Sequence, residues 1–466
     1  MSEQTRRDVV RYAGLSVAIG MGVTTVTADG SADDESATTD DSSGWSSIRG
    51  DAGNTGFAPN ATGPTSPAAV AWEYDHGGSF AVVDGTVYLA ADGRVHAIDA
   101  IGGSLEWETA ITTADGAEQV EVMGPPAVAH DTVYVTTRGR DPDLTALDAA
   151  TGDRRWQASD LGYETNRAPV VANGRVFVVA DKVLYALDAR SGERRWQFKP
   201  EPMPIGDGRT RGDGFQREPV AVADGTVFAV SNNRLFALDA ETGAERWRDR
   251  VDDWRSNTFT GYPVAAGGVV AVVKSDAVRI YDAETGSERS TVPSHSLDVL
   301  GDDRVYAVID QEGDRTTVAG YDLETGNRVW QPSDRAGSPV STAVDDHSVY
   351  VGLEASGVAA FGRTDGTREW HVDVDATPRQ LAVVGDTVYA SGDALFAIRT
   401  EDESGGDGGA GGNDEETSAG DGDEASSDVE SQSTDGADDT PGFTAGASVA
   451  GGTLVLEWLR RRAADE

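Results

Sequence analysis

The sequence predicts an all-β fold, an eight-bladed β-propeller built from four-stranded antiparallel blades. Three observations predict it: a turn-and-strand motif repeated along most of the chain, a second hairpin signal ahead of each copy, and one strand displaced to the front of the array. The clearest copy of the motif is Ala237-Leu-Asp-Ala-Glu-Thr-Gly-Ala-Glu-Arg-Trp247. Arg234-Leu-Phe-Ala-Leu238 leads into it with the period of two expected of a half-buried strand. Asp239 to Gly243 supplies the turn, and Gly243 can take a positive φ without a Cβ clash. Trp247 then sets a large flat ring on the next strand. Two strands bury too little surface to stay folded alone, so the hairpin needs copies of itself.

Further copies are Ala97/Asp99/Gly103/Trp107, Ala146/Asp148/Gly152/Trp156 and Ala186/Asp188/Gly192/Trp196. Later ones decay: Asp282/Gly286 is followed by Ser290, Asp322/Gly326/Trp330 starts at Gly320, and Gly366/Trp370 has Gly362 in the Asp place. Ahead of each lies an Asp-Gly-type turn running into Val-Tyr or Val-Phe, as in Asp84-Gly-Thr-Val-Tyr88 and Asn173-Gly-Arg-Val-Phe177. These turns number eight, the others lying near Asp131, Asp224, Gly267, Asp302, Asp346 and Gly385. A period of about 40 residues with four short strands per unit is a propeller blade. The eighth unit stops after Ala394-Leu-Phe-Ala-Ile398 without its last strand, and a spare strand, Val70-Ala-Trp72-Glu-Tyr74, precedes the first. The first strand is therefore expected to complete the last blade and remove the open edge. A seven-bladed ring with one degenerate unit is the alternative.

The Ala-x-Asp-x3-Gly-x3-Trp motif at this period resembles the pyrroloquinoline-quinone (PQQ) repeat family, over roughly residues 45–400. Trp45-Ser-Ser-Ile-Arg-Gly-Asp-Ala-Gly-Asn-Thr-Gly56 resembles the opening segment of its compact secreted members, the BamB-like propellers. The resemblance implies a quinoprotein-alcohol-dehydrogenase-like propeller in which Trp107, Trp156, Trp196, Trp247, Trp330 and Trp370 dock neighbouring blades. Asp99, Asp148, Asp188, Asp239, Asp282 and Asp322 are the matching turn residues. It leaves two functions open. Compact BamB-like members are cofactor-free protein-binding scaffolds, and larger relatives are dehydrogenases that use PQQ and Ca²⁺ in the central funnel to oxidise alcohols or sugars.

Residues 1–28 read as a secretory signal: Thr5-Arg-Arg-Asp-Val-Val-Arg11 precedes an apolar run to Val26 and a small-residue site at Thr27-Ala28. The Arg6-Arg7 pair resembles a twin-arginine export signal. Residues 29–44, rich in Asp, Ser and Thr, read as a disordered lead-in, and 401–440 as an acidic disordered linker. At 441–466, Pro441-Gly442-Phe443, an apolar stretch and Arg460-Arg-Arg462 resemble a sorting signal read by an archaeosortase, which would leave the protein lipid- or tail-anchored outside the cell membrane. The apolar stretch is shorter than the ~20 residues a membrane span wants and contains Glu457.

The formal charge is −42, and only Lys182, Lys199 and Lys274 are lysine. That acidic, lysine-poor composition resembles halophilic archaeal proteins and disfavours nucleic acid as a partner, because two polyanions repel. Without cysteine there is no disulfide, thiolate metal site or Cys nucleophile. The six histidines are scattered and form no metal-binding pair in sequence, and Asp310-x-Glu312-Gly-Asp314 lacks the spacing of an EF-hand calcium loop. No catalytic, cofactor or metal residue is assigned, and the chain is expected to be monomeric. The function expected is a non-catalytic binding scaffold in the envelope, with a quinoprotein dehydrogenase as the alternative. Connections between blades are expected to be long after Trp107, Trp156, Trp196 and Trp247, and to carry the binding face. Arg167, Arg209, Arg211, Arg217, Trp254 and Arg255 form its candidate rim, near Tyr163, Phe215, Phe259 and Tyr262. The partner expected there is an envelope protein or an acidic surface glycan; self-pairing of these arginines with neighbouring acids is the competing reading.

Overall fold

The computed structural model describes residues 44–138, 143–162, 165, 168–250, 258–311, 315–334, 337–354 and 357–401. Arg6-Arg7, Arg167, Trp254, Arg255 and the Pro441-Gly442-Phe443 segment lie outside them. The described residues contain strands and turns but no helix, and the strands form eight four-stranded antiparallel blades. Inner strands are Ser79–Val83, Ala127–Ala129, Val170–Ala172, Ala221–Ala223, Phe259–Ala266, Val299–Leu300, Pro339–Asp345 and Gln380–Val384. Seven outer strands follow in their own blades. The eighth, Ala68–Tyr74, comes from the front of the chain and pairs antiparallel with Leu395–Thr400, Tyr74 opposite Leu395 and Val70 opposite Ile398. Eight blades with a displaced closing strand are therefore the architecture, and the seven-bladed alternative falls.

The motif builds the same corner in blade after blade. A bulge follows its alanine, between Ala97 and Ile98, Ala146 and Leu147, Ala186 and Leu187, and Ala237 and Leu238. At the turn the Asp side chain takes the place of a missing strand partner: Asp239 Oδ1 accepts from the Thr242 amide (2.9 Å) and hydroxyl (2.7 Å). Asp148, Asp188, Asp282 and Asp322 are capped in the same way, and Asp99 Oδ1 accepts the Gly102 amide at 2.5 Å. The second carboxylate oxygen holds an arginine from the outgoing strand, Arg195 on Asp188 and Arg246 on Asp239, both at 2.8 Å.

Each motif Trp reaches into the next blade. Trp107, Trp156, Trp196 and Trp247 donate Nε1–H to the carbonyls of Ala149, Ala189, Ala240 and Ala283 at 2.9–3.1 Å. Trp330 donates to Gly362 and Trp370 to Pro64. In blade 5, where serine replaces tryptophan, Ser290 Oγ donates to the Leu323 carbonyl at 2.6 Å. The ring lies flat on the next turn. A Cβ added at Gly243 would sit 2.7 Å from Trp196 Cδ2, at a φ of +72°. This is why the motif couples a glycine to a tryptophan one blade earlier. Between blades, strands such as Val176-Phe-Val-Val179 are buried on both faces and so read as continuous apolar runs.

A feature not read from the sequence is the course of residues 44–64. Gly44–Trp45 pairs with the inner strand of blade 1, Gly44 opposite Val83. From there the chain follows the inner strands around the ring in blade order. The amides of Val128, Val222, Ala265, Leu300 and Val344 donate to the carbonyls of Ser46, Ala52, Gly53, Thr55 and Gly56 in order. Asn54, fully buried, donates its side-chain amide to the Val220 and Pro263 carbonyls. Phe57–Ala58 runs parallel to the inner strand of blade 7, and the Thr62 and Gly63 amides reach the Gly385 carbonyl of blade 8. Its backbone contacts fall along the inner strands of seven blades, so this thread lines the central channel with the chain's own backbone.

Candidate functional site

One end of the channel carries the connections between blades. They are long at 111–126, 159–169 and 199–220. The connection at 251–258 is no longer than that at 331–338, so the expectation of extra material after Trp247 is corrected. The inner strand that follows begins early, at Phe259, and runs eight residues to Ala266, pairing Phe259 with Lys274 through an irregularity before Val264. The long connections share a face with the middle-strand turns: Gln119 Nε2 donates to the Asp92 carbonyl (2.6 Å), and the Phe215 amide to the Lys182 carbonyl (3.1 Å).

The 199–220 connection is a pinned projection. Met203–Gly206 and Arg209–Arg211 form a hairpin whose second strand is fully exposed. Below it Phe215 is buried edge-on against Phe236 at 5.3 Å. Buried Arg234 donates Nη1–H to the Glu201 carbonyl at 2.8 Å and faces Asp213 at 3.5 Å. Arg209 and Arg211 stand on the hairpin, Arg209 facing Asp207 at 3.7 Å, and Arg217 is exposed beyond it. Three of the aromatic residues expected near that rim lie elsewhere, and Tyr163 and Trp254 lie outside the described residues. Phe215 and Phe259 are core residues and Tyr262 lines the central channel.

Within that channel, above the thread, lies a cavity of about 360 Å³. Trp45, Ile48 and Arg49 form its floor, and its walls include Pro125, Tyr262, Thr342, Arg379 and Leu381 from the starts of the inner strands. Arg49 donates Nη1–H to the Asp298 carbonyl, pairs with its carboxylate at 3.7 Å, and lies over the Tyr262 ring at 5.4 Å. Burial pushes the Tyr262 hydroxyl pKa up, so it is a neutral donor at any working pH. Gln380 and Ser391 are spent on the seam between blades 8 and 1, through Phe80 and Gly78. Two buried polar atoms of lining residues meet no partner, Trp45 Nε1 and Thr342 Oγ1.

Calcium takes six to eight oxygen ligands, with carboxylates prominent among them. Among the described residues no Asp or Glu lines this cavity, and none of their side chains cluster as a metal site. Asp298, which pairs with the lining residue Arg49, is committed to it. The donor set does not fit a calcium-bound quinone.

Four overlapping stretches of the chain, residues 39–166, 122–214, 183–291 and 254–405, match the family described as outer membrane protein assembly factor BamB. The chain belongs to the BamB family. Among solved structures, BamB from Moraxella catarrhalis aligns with a TM-score of 0.54 at 19% identity, over 72% of this chain and 99% of that one. A europium-containing methanol dehydrogenase aligns at 0.59 and 14% identity, over 77% and 98%. At these identities both likenesses concern the fold. Among curated proteins the chain resembles the serine/threonine-protein kinase AfsK of Streptomyces coelicolor, 32% identical over 217 residues (45% of this chain), and that of Streptomyces griseus, 30% over 171 (35%). The chain spans about a fifth of the length of these kinases.

Proposed function

We propose that this BamB-family propeller is an exported scaffold at the outer face of the cell membrane, binding a partner without catalysis. The observation that carries the reading is the thread: residues 44–64 line the channel with the chain's own backbone. Above them the cavity offers arginines, a tyrosine and hydroxyls in place of carboxylates. The material beyond what a ring needs lies instead in the connections at 111–126, 159–169 and 199–220, on a rigid scaffold, where binding usually sits. In a chain of charge −42 the exposed Arg209, Arg211 and Arg217 favour an anionic partner, an envelope protein or an acidic surface glycan. The name borne by the family, an outer membrane assembly factor, supports the choice of an envelope protein.

Capture from surface extracts with the Arg209/Arg211/Arg217→Ala variant is the test, and unchanged capture of every partner retires the loop face. A quinone absorption band with dye-linked alcohol or sugar oxidation, in protein supplied with PQQ and Ca²⁺, overturns the non-catalytic reading. Export through Arg6-Arg7 predicts precursor trapped inside the cell in the Lys-Lys variant. Processing by an archaeosortase predicts that the surface form yields no peptide beyond Phe443.

A further inference from the structure

We propose that Asn60 is a glycosylation site, the acceptor of an N-linked oligosaccharide on the exported protein. Among the chain's asparagines only Asn60-Ala61-Thr62 has the required spacing, a Ser or Thr two residues on with no proline between. A match of three residues arises easily by chance, so its placement decides. Ala58-Pro-Asn-Ala61 is a tight turn, closed by the Ala61 amide on the Ala58 carbonyl at 3.3 Å, with proline second and Asn60 third. Asn60 takes the positive φ, +69°, that this turn demands at its third place. The turn is pinned from below. Ala61 is buried, the Asn60 backbone N–H donates to Asp346 Oδ2 at 3.0 Å, and the Thr62 backbone N–H to the Gly385 carbonyl at 2.9 Å.

The pinning uses backbone and leaves the reactive groups outside. Asn60 and Thr62 are both exposed, and the Asn60 side-chain amide makes no hydrogen bond with any described residue. Asn54, earlier in the same thread, is the contrast: fully buried, it spends its side-chain amide on the Val220 and Pro263 carbonyls. The Thr62 hydroxyl reaches only the Gly385 carbonyl, at 3.5 Å, too long for a strong bond. A transferase can therefore take hold of amide and hydroxyl together without unfolding a strand. Transfer joins Asn60 Nδ2 to the anomeric carbon of an oligosaccharide carried on a lipid phosphate. The N–C bond forms as the bond from that carbon to the phosphate oxygen breaks. The phosphate leaves with the bonding pair, the amide gives up one proton to a base of the transferase, and nothing is oxidised or reduced.

The placement also spares the binding face. Asp346 and Gly385 lie in the turns between the first and second strands of blades 7 and 8. In an antiparallel blade those turns lie at the end away from the middle-strand turns, whose face the long connections share. A sugar on Asn60 thus leaves the 199–220 hairpin open. The proposal rests on the export reading, because the lipid-linked donor is met outside the membrane.

The test is mass spectrometry of the full chain purified from the cells that make it, with electron-transfer fragmentation of the chymotryptic peptide 58–72, in which Asn60 is the single asparagine. Sugar is expected on Asn60. It should be lost in Asn60→Gly, where glycine keeps the positive-φ turn without strain, lost in Thr62→Ala, and kept in Thr62→Ser. Sugar retained in Thr62→Ala, or carried on Thr62, Thr65 or Ser66 instead, overturns the assignment. The N-terminus read in the same digest separates the two ideas. An unmodified Asn60 on a chain that has lost residues 1–28 overturns glycosylation and leaves export standing. An unmodified Asn60 on a chain held inside the cell with residues 1–28 overturns both.

Discussion

Gly243 and Gly225 have nearly the same backbone and opposite surroundings, and that contrast isolates what the motif glycine does. Both have positive φ, +72° and +67°. A Cβ on Gly225 would approach nothing nearer than an Arg246 nitrogen at 3.8 Å, whereas one on Gly243 would overlap Trp196 Cδ2 at 2.7 Å. Gly225→Ala therefore carries only the left-handed backbone penalty, about 1 kcal/mol. Gly243→Ala carries that plus an overpacking cost of about 1–3 kcal/mol, since Trp196 is held by its bond to the Ala240 carbonyl. For a ring of roughly 350 residues an unfolding entropy near 2.1 cal/mol/K per residue makes each kcal/mol worth about 1.4 °C. Calorimetry at fixed salt should thus find Tm lowered by about 1–2 °C in Gly225→Ala and about 3–6 °C in Gly243→Ala. In a Trp196→Ala background the Gly243→Ala effect should shrink to the Gly225 value. Equal shifts in the two single variants, or an undiminished Gly243→Ala shift without the tryptophan, would refute the stacking account.

Deleting residues 68–76 removes the outer strand of blade 8, and calorimetry should find the whole transition lowered, because the ring then has an open edge. In acid, hydrogen bonding from Arg246 holds the Asp239 carboxyl down to about 2, and Arg155 does the same for Asp131. A depressed carboxyl stabilises the fold fully above its unfolded value of 3.8 and loses that contribution as pH falls toward 2. Tm measured between pH 5 and 2 should therefore fall less steeply in Asp239→Asn than in the parent. His96 is shifted the other way: burial, then the neighbouring His76, lowers its pKa below 6.5, against opposing pulls from Glu108 and Asp92. It sits 3.0 Å from the Tyr74 hydroxyl, with Arg94 also near, at the ring-closing seam. The fold keeps neutral His96, so stability is full above pH 6.5 and declines below it. A His96→Gln variant should flatten the Tm profile between pH 6.5 and 5.

Asp239, Gly243 and Trp247 were legible because their chemistry is local: a cap, a positive-φ turn and a ring at fixed offsets, repeated until chance is excluded. The closing strand was legible for a related reason, since a missing outer strand at one end matched a spare one at the other. The course of residues 44–64 was not. Asn54 bonds to Val220 and Pro263, and nothing in a glycine-rich, aperiodic stretch signals partners so distant in sequence. The cavity shares that fate, because Trp45, Thr342 and Arg379 converge only when blades 1, 7 and 8 meet. Loop length after Trp247 was misread because the inner strand of blade 5 begins early, at Phe259, and runs through an irregularity before Val264. Phe215 and Phe259 were misplaced because they are large rings near arginines in sequence, and burial, not sequence distance, decides whether such rings face a partner.

The threaded segment also sets the order in which the molecule can be finished. Residues 44–64 are the first of the described chain to be made, yet their hydrogen-bond partners extend to Gly385, and the closing strand waits for Leu395–Thr400. Neither can complete its docking until the last blade exists. A linear repeat array gains stability unit by unit as it grows; this ring withholds its final contacts until synthesis is nearly complete. Such long-range closure slows folding. It also makes the centre a latch that only a full-length propeller can fasten, so a chain cut short within blade 7 or 8 loses both ends of its architecture at once.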